Sequence, residues 1–186
     1  MNVYDFDNTI YRGDSTFDFC LFCLKRDPGL LRFLPGNFAA YLRYLTGSWS
    51  KTRMKEYFFR FFPAIPDMEA MLAEFWAVAA QNIKPWYRQQ PDDVIISASP
   101  EFLLRPICDR LGIRHLLASR VDIRTGKYDG ENCWGPEKVR RFYEKFPEGK
   151  IGEFYSDSRS DAPLAQLAQQ AWFVEGDKIK KWQGGK

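Results

Sequence analysis

The sequence predicts an α/β protein with a parallel β-sheet core and an inserted bundle of α-helices. Three segments of different pattern indicate this class. A short apolar strand, Asn2 to Asp5, is followed at once by a polar loop. Residues 14–84 keep a helical periodicity throughout, and from Asp93 onward strand-like apolar runs alternate with helical segments. Because strands that alternate with helices pair through right-handed crossovers, this last part predicts a parallel sheet.

The composition is that of a folded domain and argues against several classes of partner. Hydrophobic residues make up 45% of the chain and charged residues 27%. A net charge of +3, without a concentrated basic stripe, predicts no nucleic-acid partner. No apolar run reaches the roughly 18 residues that a membrane span needs, and the N-terminus lacks a signal-peptide pattern. We therefore expect a cytoplasmic protein without stable membrane association, whose oligomeric state the sequence leaves open.

The four cysteines do not predict a disulfide scaffold or a zinc site. Cys20 and Cys23 form a C-x-x-C pair, while Cys108 and Cys133 stand alone. Zinc would need a second ligand pair, and His115 is the only histidine in the sequence. We therefore interpret the pair as buried residues on one face of a helix.

The middle segment predicts four helices, each with a recognisable beginning or end. Capping residues open three of them, and Pro-Gly or glycine closes two. The predicted helices are one capped by Asp14 or Ser15 and ended by Pro28-Gly29, one from about Gly29 to Leu45 bent near Pro35, one from Ser50 to Pro63, and one capped by Asp67.

The last segment predicts alternating strands and helices. Its strands are short unbroken apolar runs, as expected where both faces of a sheet are covered. The predicted elements are a strand at Val94 to Ile96, a helix opened by Ser99-Pro100 and kinked at Pro106, a weak strand at Leu116 to Ala118, a hairpin over Val121 to Cys133, a helix from Pro136 to about Phe146, a strand at Ile151 to Tyr155, a helix from about Arg159, a strand at Ala171 to Val174, and a frayed tail at Gln183 to Lys186.

Polar residues follow the predicted strands at the points where the strands end. Asp5 and Asp7 close the first strand, Ser97 closes the second, and Asp157 begins a polar loop after a later strand. Lys138 lies at the start of the helix before that strand. Because ligands of open α/β sheets bind at the carboxyl ends of the strands, we expect these side chains to converge.

Such a set of residues suits phosphoryl transfer. Asp5, Asp157 and the backbone carbonyl of Asp7 supply the oxygen ligands that Mg²⁺ prefers. Asp5 can attack phosphorus and form an aspartyl phosphate, while Asp7 acts as general acid and then as general base. Ser97 would contact the phosphate, and Lys138 would balance its charge.

Four segments resemble the motifs of the haloacid dehalogenase superfamily. Asp5–Thr9 matches its D-x-D-x-T motif, Val94–Ser97 looks like the second motif, Gly135–Lys138 the third and Ser156–Asp161 the fourth. Their order and spacing agree, and the resemblance covers essentially the whole chain. The helical insertion resembles a C1-type cap, particularly that of the phosphoserine-phosphatase-like subgroup.

The resemblance implies a division of the chain and a role for each matching residue. It implies a Rossmann-like catalytic core at residues 1–13 and 85–186 and a helical cap at residues 14–84. The implied roles are nucleophile for Asp5, acid and base for Asp7, phosphate binding for Asn8, Thr9, Ser97, Ala98 and Lys138, magnesium binding for Asp5, Asp7 and Asp157, and for Asp161 either pairing with Lys138 or holding a metal-bound water.

The predicted function is a magnesium-dependent phosphomonoester phosphatase that acts on a small phosphorylated molecule. Phosphoserine is not favoured as substrate, because Ala98-Ser99 and Ser156-Asp157-Ser158 stand where the phosphoserine phosphatases carry glycines. The segment Tyr11 to Thr16 after the first loop also lacks an acidic pair that would bind a substrate amino group. Asp7 argues against a dehalogenase, since the dehalogenases of the superfamily lack the second aspartate. The alternatives are phosphoryl transfer to an acceptor other than water and a catalytically silent binding module with the same fold.

Two features of the predicted cap leave alternatives open. Its many aromatic side chains are interpreted mainly as bundle core, although some could line a pocket for an apolar or aromatic leaving group. Its basic residues are read as a solvated face, or else as a site for a second anionic group; they are Arg43, Lys51, Arg53, Lys55 and Arg60.

Overall fold

The computed structural model describes residues 1–183, so most of the predicted frayed tail lies outside the described residues. Its sheet has six strands in the order β3-β2-β1-β4-β5-β6, which confirms the predicted α/β class. The strands are β1 Val3–Tyr4, β2 Val94–Pro100, β3 His115–Ser119, β4 Ile151–Ser156, β5 Ala168–Glu175 and β6 Lys178–Lys181. The α-helices are α1 Ser15–Arg26, α2 Leu34–Leu45, α3 Lys51–Phe58, α4 Met68–Ala79, α5 Glu101–Arg110, α6 Pro136–Lys145 and α7 Ala162–Ala165.

The first strand lies at the centre of the sheet. Val3 pairs in parallel with Val94 of β2 on one side and with Phe154 of β4 on the other. All pairings from β3 to β5 are parallel, and only the β5–β6 pair is antiparallel. The carboxyl ends of β1, β2 and β4 therefore lie side by side, which is where the sequence places most of the candidate residues.

Three of the four predicted helices in the middle segment begin at the predicted caps. The side chains of Asp14, Ser50 and Asp67 accept hydrogen bonds from backbone amides three residues on. The second helix begins later than predicted, because Pro28–Phe33 form a 3₁₀ helix and α2 starts at Leu34. Pro35 lies in the first turn of α2, where its missing N–H costs no hydrogen bond. The bend predicted near Pro35 is therefore absent, because the proline begins the helix.

Several predicted boundaries in the last segment were wrong. Ser99 and Pro100 continue β2, and α5 starts at Glu101 without a side-chain cap. The predicted hairpin reduces to one isolated bridge between Val121 and Tyr128. After the fourth strand a 3₁₀ turn and the four-residue α7 replace the predicted helix, and β6, which pairs with β5, was not predicted. One boundary in the middle segment was also wrong. The helix predicted from Ser50 to Pro63 ends at Phe58, and Phe59–Ala64 form a 3₁₀ helix.

A continuous aromatic core joins the middle helices to the sheet. Trp76 of α4 packs edge-on against Phe6 after β1 and donates its indole N–H to Leu103 of α5. A second core cluster that includes Val3, Val94 and Phe142 covers the other sheet face. The four cysteines are free. Cys23, Cys108 and Cys133 are fully buried as small hydrophobic residues, whereas Cys20, also predicted to be buried, is only partly so and lines a cavity. The division into a core at 1–13 and 85–186 and a cap at 14–84 stays a prediction. Within residues 1–183, no helix is both long and apolar enough to cross a membrane.

Candidate active site

A buried ion pair links the end of β1 to the start of α6. Lys138 Nζ donates to Asp5 Oδ1 at 2.8 Å and to Asp161 Oδ2 at 2.7 Å, and its side chain is only 3% exposed. Asp5 follows the central strand, and its amide donates to the carbonyl of Tyr155 in β4. Gly135 precedes α6 at a φ of +58°, a conformation that suits glycine, and so sets the first turn that carries Lys138.

This cluster sets one buried lysine, Lys138, against two buried carboxylates, Asp5 and Asp161. Burial disfavours the charged form of Lys138, but Asp5 and Asp161 outweigh this effect and raise its pKa, so that the lysine stays protonated. Burial raises the pKa of Asp5, and Lys138 opposes that rise. Asp161 also accepts from Ser156 Oγ at 2.7 Å. Of the two roles considered for Asp161, its geometry matches pairing with Lys138.

Asp7 is held in a different environment from Asp5. Its Oδ1 accepts from the amide of Ser15 at 2.7 Å, at the start of α1, and its Oδ2 accepts from Ser99 Oγ at 2.5 Å. Burial, followed by the charge of Asp14, raises the pKa of Asp7 to about 7. The two carboxylates of the D-x-D motif therefore have separate partners, a lysine for Asp5 and neutral donors for Asp7.

Asp157 lies close to Asp5 at the end of β4. Burial and the neighbouring Asp5 carboxylate raise the pKa of Asp157 to about 7. Within residues 1–183, no group of three metal-ligating side chains is assembled, and Asp161 Oδ1 is buried without a hydrogen-bond partner. A pair of crowded carboxylates fits Mg²⁺, which takes few protein ligands and completes its shell with water and phosphate. Asp5 and Asp157 therefore fit the predicted cation, and the Asp7 carbonyl stays a predicted ligand.

The residues predicted to bind phosphate divide into two groups. Asn8, Ser97 and Ala98 line the same cavity as Asp5 and Lys138. Ser97 Oγ accepts from the amide of Ser99 at 3.1 Å. Thr9 instead is fully buried outside the cavity lining, and its Oγ1 accepts from the amide of Asp157 at 3.0 Å. The hydroxyl of Thr9 therefore positions the loop that carries Asp157.

Sequence reasoning missed two contributors to this region, Ser99 and Lys84, and named a third, Lys55, only as one of a set of five basic residues. Ser99 was read as a helix cap, yet it binds Asp7. Lys84 is 2% exposed, and its Nζ donates to the carbonyls of Asn8 and Gly176, so that it fixes the loop after β1. Lys55 donates from α3 to the Ala98 carbonyl at 3.4 Å. No local pattern marks these residues, because their partners lie far away along the chain.

The basic residues of the predicted cap separate into two sets. Lys51 and Lys55 line the cavity, and Lys51 also lies over the ring of Trp134. The guanidinium groups of Arg43, Arg53 and Arg60 instead stack on aromatic rings of the same helical region and lie outside the lining. Only the two lysines are therefore placed to meet a ligand.

The candidate catalytic side chains and the two lysines of α3 border one open cavity of about 560 Å³. Its floor is the sheet edge with Asp5, Asp7, Ser97, Lys138 and Asp157, and its other walls come from α1, α2, α3 and the 3₁₀ helices beside them. Such a cavity, with few polar groups gathered at one end, is typical of an enzyme active site.

Relatives of known sequence include proteins named as phosphatases. A "probable phosphatase" of Mycobacterium tuberculosis is 36% identical over 94 residues, which are 47% of this chain. The chain spans only 33% of the length of that relative. A histidinol-phosphatase of Neisseria meningitidis serogroup C is 26% identical over 168 residues, covering 83% of this chain and 69% of the relative.

Solved structures share the fold. A Bordetella pertussis protein of unknown function superposes with a TM-score of 0.75 at 22% identity, over 92% of this chain and 87% of that one. A probable phosphoserine phosphatase of Vibrio cholerae gives a TM-score of 0.59 at 11% identity, over 91% of this chain and 55% of that one. The sequence model of the haloacid dehalogenase-like hydrolase family matches residues 3–166, which include all four motifs. The chain therefore belongs to the haloacid dehalogenase-like hydrolase family.

Proposed function

We propose that this protein is a magnesium-dependent phosphomonoester phosphatase that works through an aspartyl phosphate on Asp5. The observation that carries the proposal is the buried pair of Asp5 and Lys138 at the floor of an open cavity, with Asp157 beside it. A carboxylate held by a lysine next to a second carboxylate suits attack on a phosphate in the presence of a divalent cation. The phosphatase names among the relatives support the same reaction type.

Magnesium would be held by Asp5, Asp157 and the backbone carbonyl of Asp7. When bound, it would offset the repulsion between the attacking carboxylate and the phosphate dianion. Lys138 supplies a fixed positive charge at the same place, and Asp161 and Ser156 keep it there. These contacts orient Asp5 before any substrate arrives, which is what positioning contributes to catalysis.

The proposed reaction has two steps that balance. In the first, an Asp5 carboxylate oxygen bonds to phosphorus, the ester P–O bond breaks, and Asp7 gives its proton to the leaving oxygen. In the second, Asp7 takes a proton from water, whose oxygen bonds to phosphorus as the bond to Asp5 breaks, and inorganic phosphate is released. The separate environments of Asp5 and Asp7 support these two roles, since one carboxylate must be ionised while the other carries a proton.

The division of the chain also forms part of the proposal. Residues 14–84 act as a cap over a catalytic core made of residues 1–13 and 85–186, and a small phosphorylated molecule binds between them. The contacts from Ser15 to Asp7 and from Lys55 to Ala98 support this arrangement, because they connect the helical region to the catalytic loops.

Hydrolysis of p-nitrophenyl phosphate tests the proposal. Activity should require Mg²⁺, disappear with EDTA and return when Mg²⁺ is added again. Asp5→Asn keeps the shape of the side chain but removes the nucleophile, and should lower kcat at least about 10³-fold. Asp109→Asn, on the solvent-exposed side of α5, is the matched control and should retain full activity.

Three other outcomes would point elsewhere. Hydrolysis that persists in Asp5→Asn or in EDTA contradicts the proposal. Release of p-nitrophenol that rises when an alcohol is added, with a phosphorylated alcohol as product, identifies a phosphotransferase. Binding of Mg²⁺ and vanadate without turnover of any ester identifies a silent binding module.

A further inference from the structure

The cavity extends well beyond the groups needed to hold a phosphate. Its volume of about 560 Å³ lies within the range of roughly 300–1,000 Å³ that buries most of a drug-sized molecule. The charged groups of the lining are the sheet-edge cluster around Asp5 and Lys138, Asp14 at the start of α1, and Lys51 and Lys55 on α3. The rest of the wall must therefore contact the part of the substrate that leaves with the ester oxygen.

That remaining wall is predominantly apolar at every depth. Leu30, Phe59 and Phe61 line its inner part, where they are almost fully buried. Leu24 and Met54 continue the lining with partly buried side chains. Asn37 interrupts it with one buried amide. Along these apolar side chains, away from the two lysines of α3, a leaving group with several charges would lose its hydration without gaining ionic partners, which is unfavourable.

The mouth of the cavity is apolar as well. Leu21, Leu34 and Tyr41 line the cavity, yet they are 40%, 43% and 44% exposed. Large apolar side chains that remain in water around an opening mark a site where an apolar ligand enters or protrudes. Apolar side chains therefore line the cavity both in its buried inner part and at its exposed mouth.

We propose that the substrate is an amphipathic phosphomonoester, whose phosphate binds at the sheet edge and whose long aliphatic chain lies along this apolar wall. The inference rests on the proposed phosphatase function and adds the chemical class of the leaving group. Each methylene group that leaves water for the cavity favours binding. The aliphatic chain of the substrate therefore adds binding free energy that a compact polar metabolite could not supply. A lipid phosphate and a soluble alkyl phosphate share this chemistry.

A series of alkyl phosphates measures the effect of the chain directly. Ethyl, butyl, hexyl and octyl phosphate, assayed as monomers in solution, carry the same phosphate and the same kind of leaving oxygen. We expect kcat/KM to rise about two- to fourfold for each added methylene until the cavity is filled, and roughly 50-fold in total. A kcat/KM that is flat or falls with chain length, while p-nitrophenyl phosphate is still hydrolysed, overturns the inference and leaves the phosphatase function intact.

Two substitutions on one helix locate the chain-binding wall. Leu34→Gln places an amide in the cavity mouth, and it should lower the octyl-to-ethyl ratio of kcat/KM at least about fivefold. Leu42→Gln is the matched control, because Leu42 lies on the same α2 helix at 45% exposure but outside the cavity lining. It should leave the ratio as in the wild type. Both leucines are half exposed, so neither change is expected to prevent folding, which circular dichroism would verify.

A second experiment distinguishes a lipid phosphate from a soluble alkyl phosphate as the substrate. Lysophosphatidate in phosphatidylcholine vesicles presents the same headgroup and chain at a membrane surface. Faster hydrolysis of this lipid than of octyl phosphate identifies a membrane lipid as the source, and the reverse identifies a soluble ester. An octyl-to-ethyl ratio near one in the wild type, or equal ratios in Leu34→Gln and Leu42→Gln, contradicts the proposed wall.

Discussion

The two sides of the cavity differ in how tightly their polar groups are held. On the sheet side, Lys138 bridges two carboxylates, and Ser156 holds one of them in turn. On the helical side, Lys55 makes a single long hydrogen bond, and most of its neighbours in the wall are apolar. A network in which each member fixes the next is expensive to disturb, whereas an apolar wall tolerates change. The sheet side is thus suited to chemistry and the helical side to selection of substrate.

The largest expected effect comes from breaking the network on the sheet side. Lys138→Met removes the charge between Asp5 and Asp161 and, in the metal-free protein, leaves both carboxylates buried without a cation. We expect kcat/KM to fall about 10²- to 10³-fold or more, and the free energy of unfolding to drop by about 3–5 kcal/mol. Steady-state kinetics and urea unfolding measure the two quantities.

Lys145→Met provides the control for this change, because Lys145 lies in the last turn of the same α6 helix and is exposed. It should alter neither quantity appreciably. A Lys138→Met variant with wild-type activity and stability would show that the buried ion pair does not organise the site.

An intermediate effect is expected from Ser99 of β2, which holds Asp7 together with the Ser15 amide from the helical side. Ser99→Ala removes the donor to Asp7 Oδ2 and leaves the donor from the Ser15 amide in place. We expect kcat to fall about 10- to 100-fold with little change in KM, since the acid and base is less well oriented. Ser48→Ala, in the exposed turn after α2, should leave kcat unchanged. An equal loss of kcat in Ser99→Ala and Ser48→Ala, or no loss in either variant, would show that Ser99 does not orient Asp7 for catalysis.

A smaller effect is expected on the helical side. Lys55→Met keeps the length of the side chain but removes its charge from the phosphate end of the cavity. We expect KM for ethyl phosphate to rise about fivefold while kcat changes less, because the lysine contributes to binding rather than to orientation of Asp5. Arg53→Met, on the same α3 helix, removes a cation that stacks on Trp49 and should leave KM unchanged. If Lys55→Met lowered kcat as strongly as Lys138→Met, the two sides of the cavity would not be functionally distinct.

The sequence predicted the sheet side of the cavity better than the helical side. Asp5 and Asp157 each follow a strand, and Ser97 lies at the middle of β2. Because parallel strand ends meet at one edge, local pattern and topology were enough to bring these residues together, although β2 runs past Ser97 to Pro100. The caps at Asp14 and Asp67 were also predictable, since a helix N-terminus has a local signal.

The contacts that were missed depend on packing between distant segments. Ser99 had a good local interpretation as a helix cap, but β2 continues to Pro100 and leaves its hydroxyl for Asp7, 92 residues away. Lys84 reaches carbonyls 76 and 92 residues away, and a lysine in sequence gives no sign of such burial. In the basic set, only the tertiary structure separates Lys55 from the arginines that stack on aromatic rings.

Trapping of the phosphorylated enzyme tests the central role of Asp5 most directly. Asp7→Asn removes the group that would activate water, while p-nitrophenolate departs without needing a proton. This variant should therefore release one p-nitrophenol per enzyme in a burst, and acid quenching followed by peptide mass spectrometry should place one phosphoryl group on Asp5. A burst with the adduct on another residue, or steady wild-type turnover with no adduct in either protein, would contradict the assignment of Asp5 as the nucleophile.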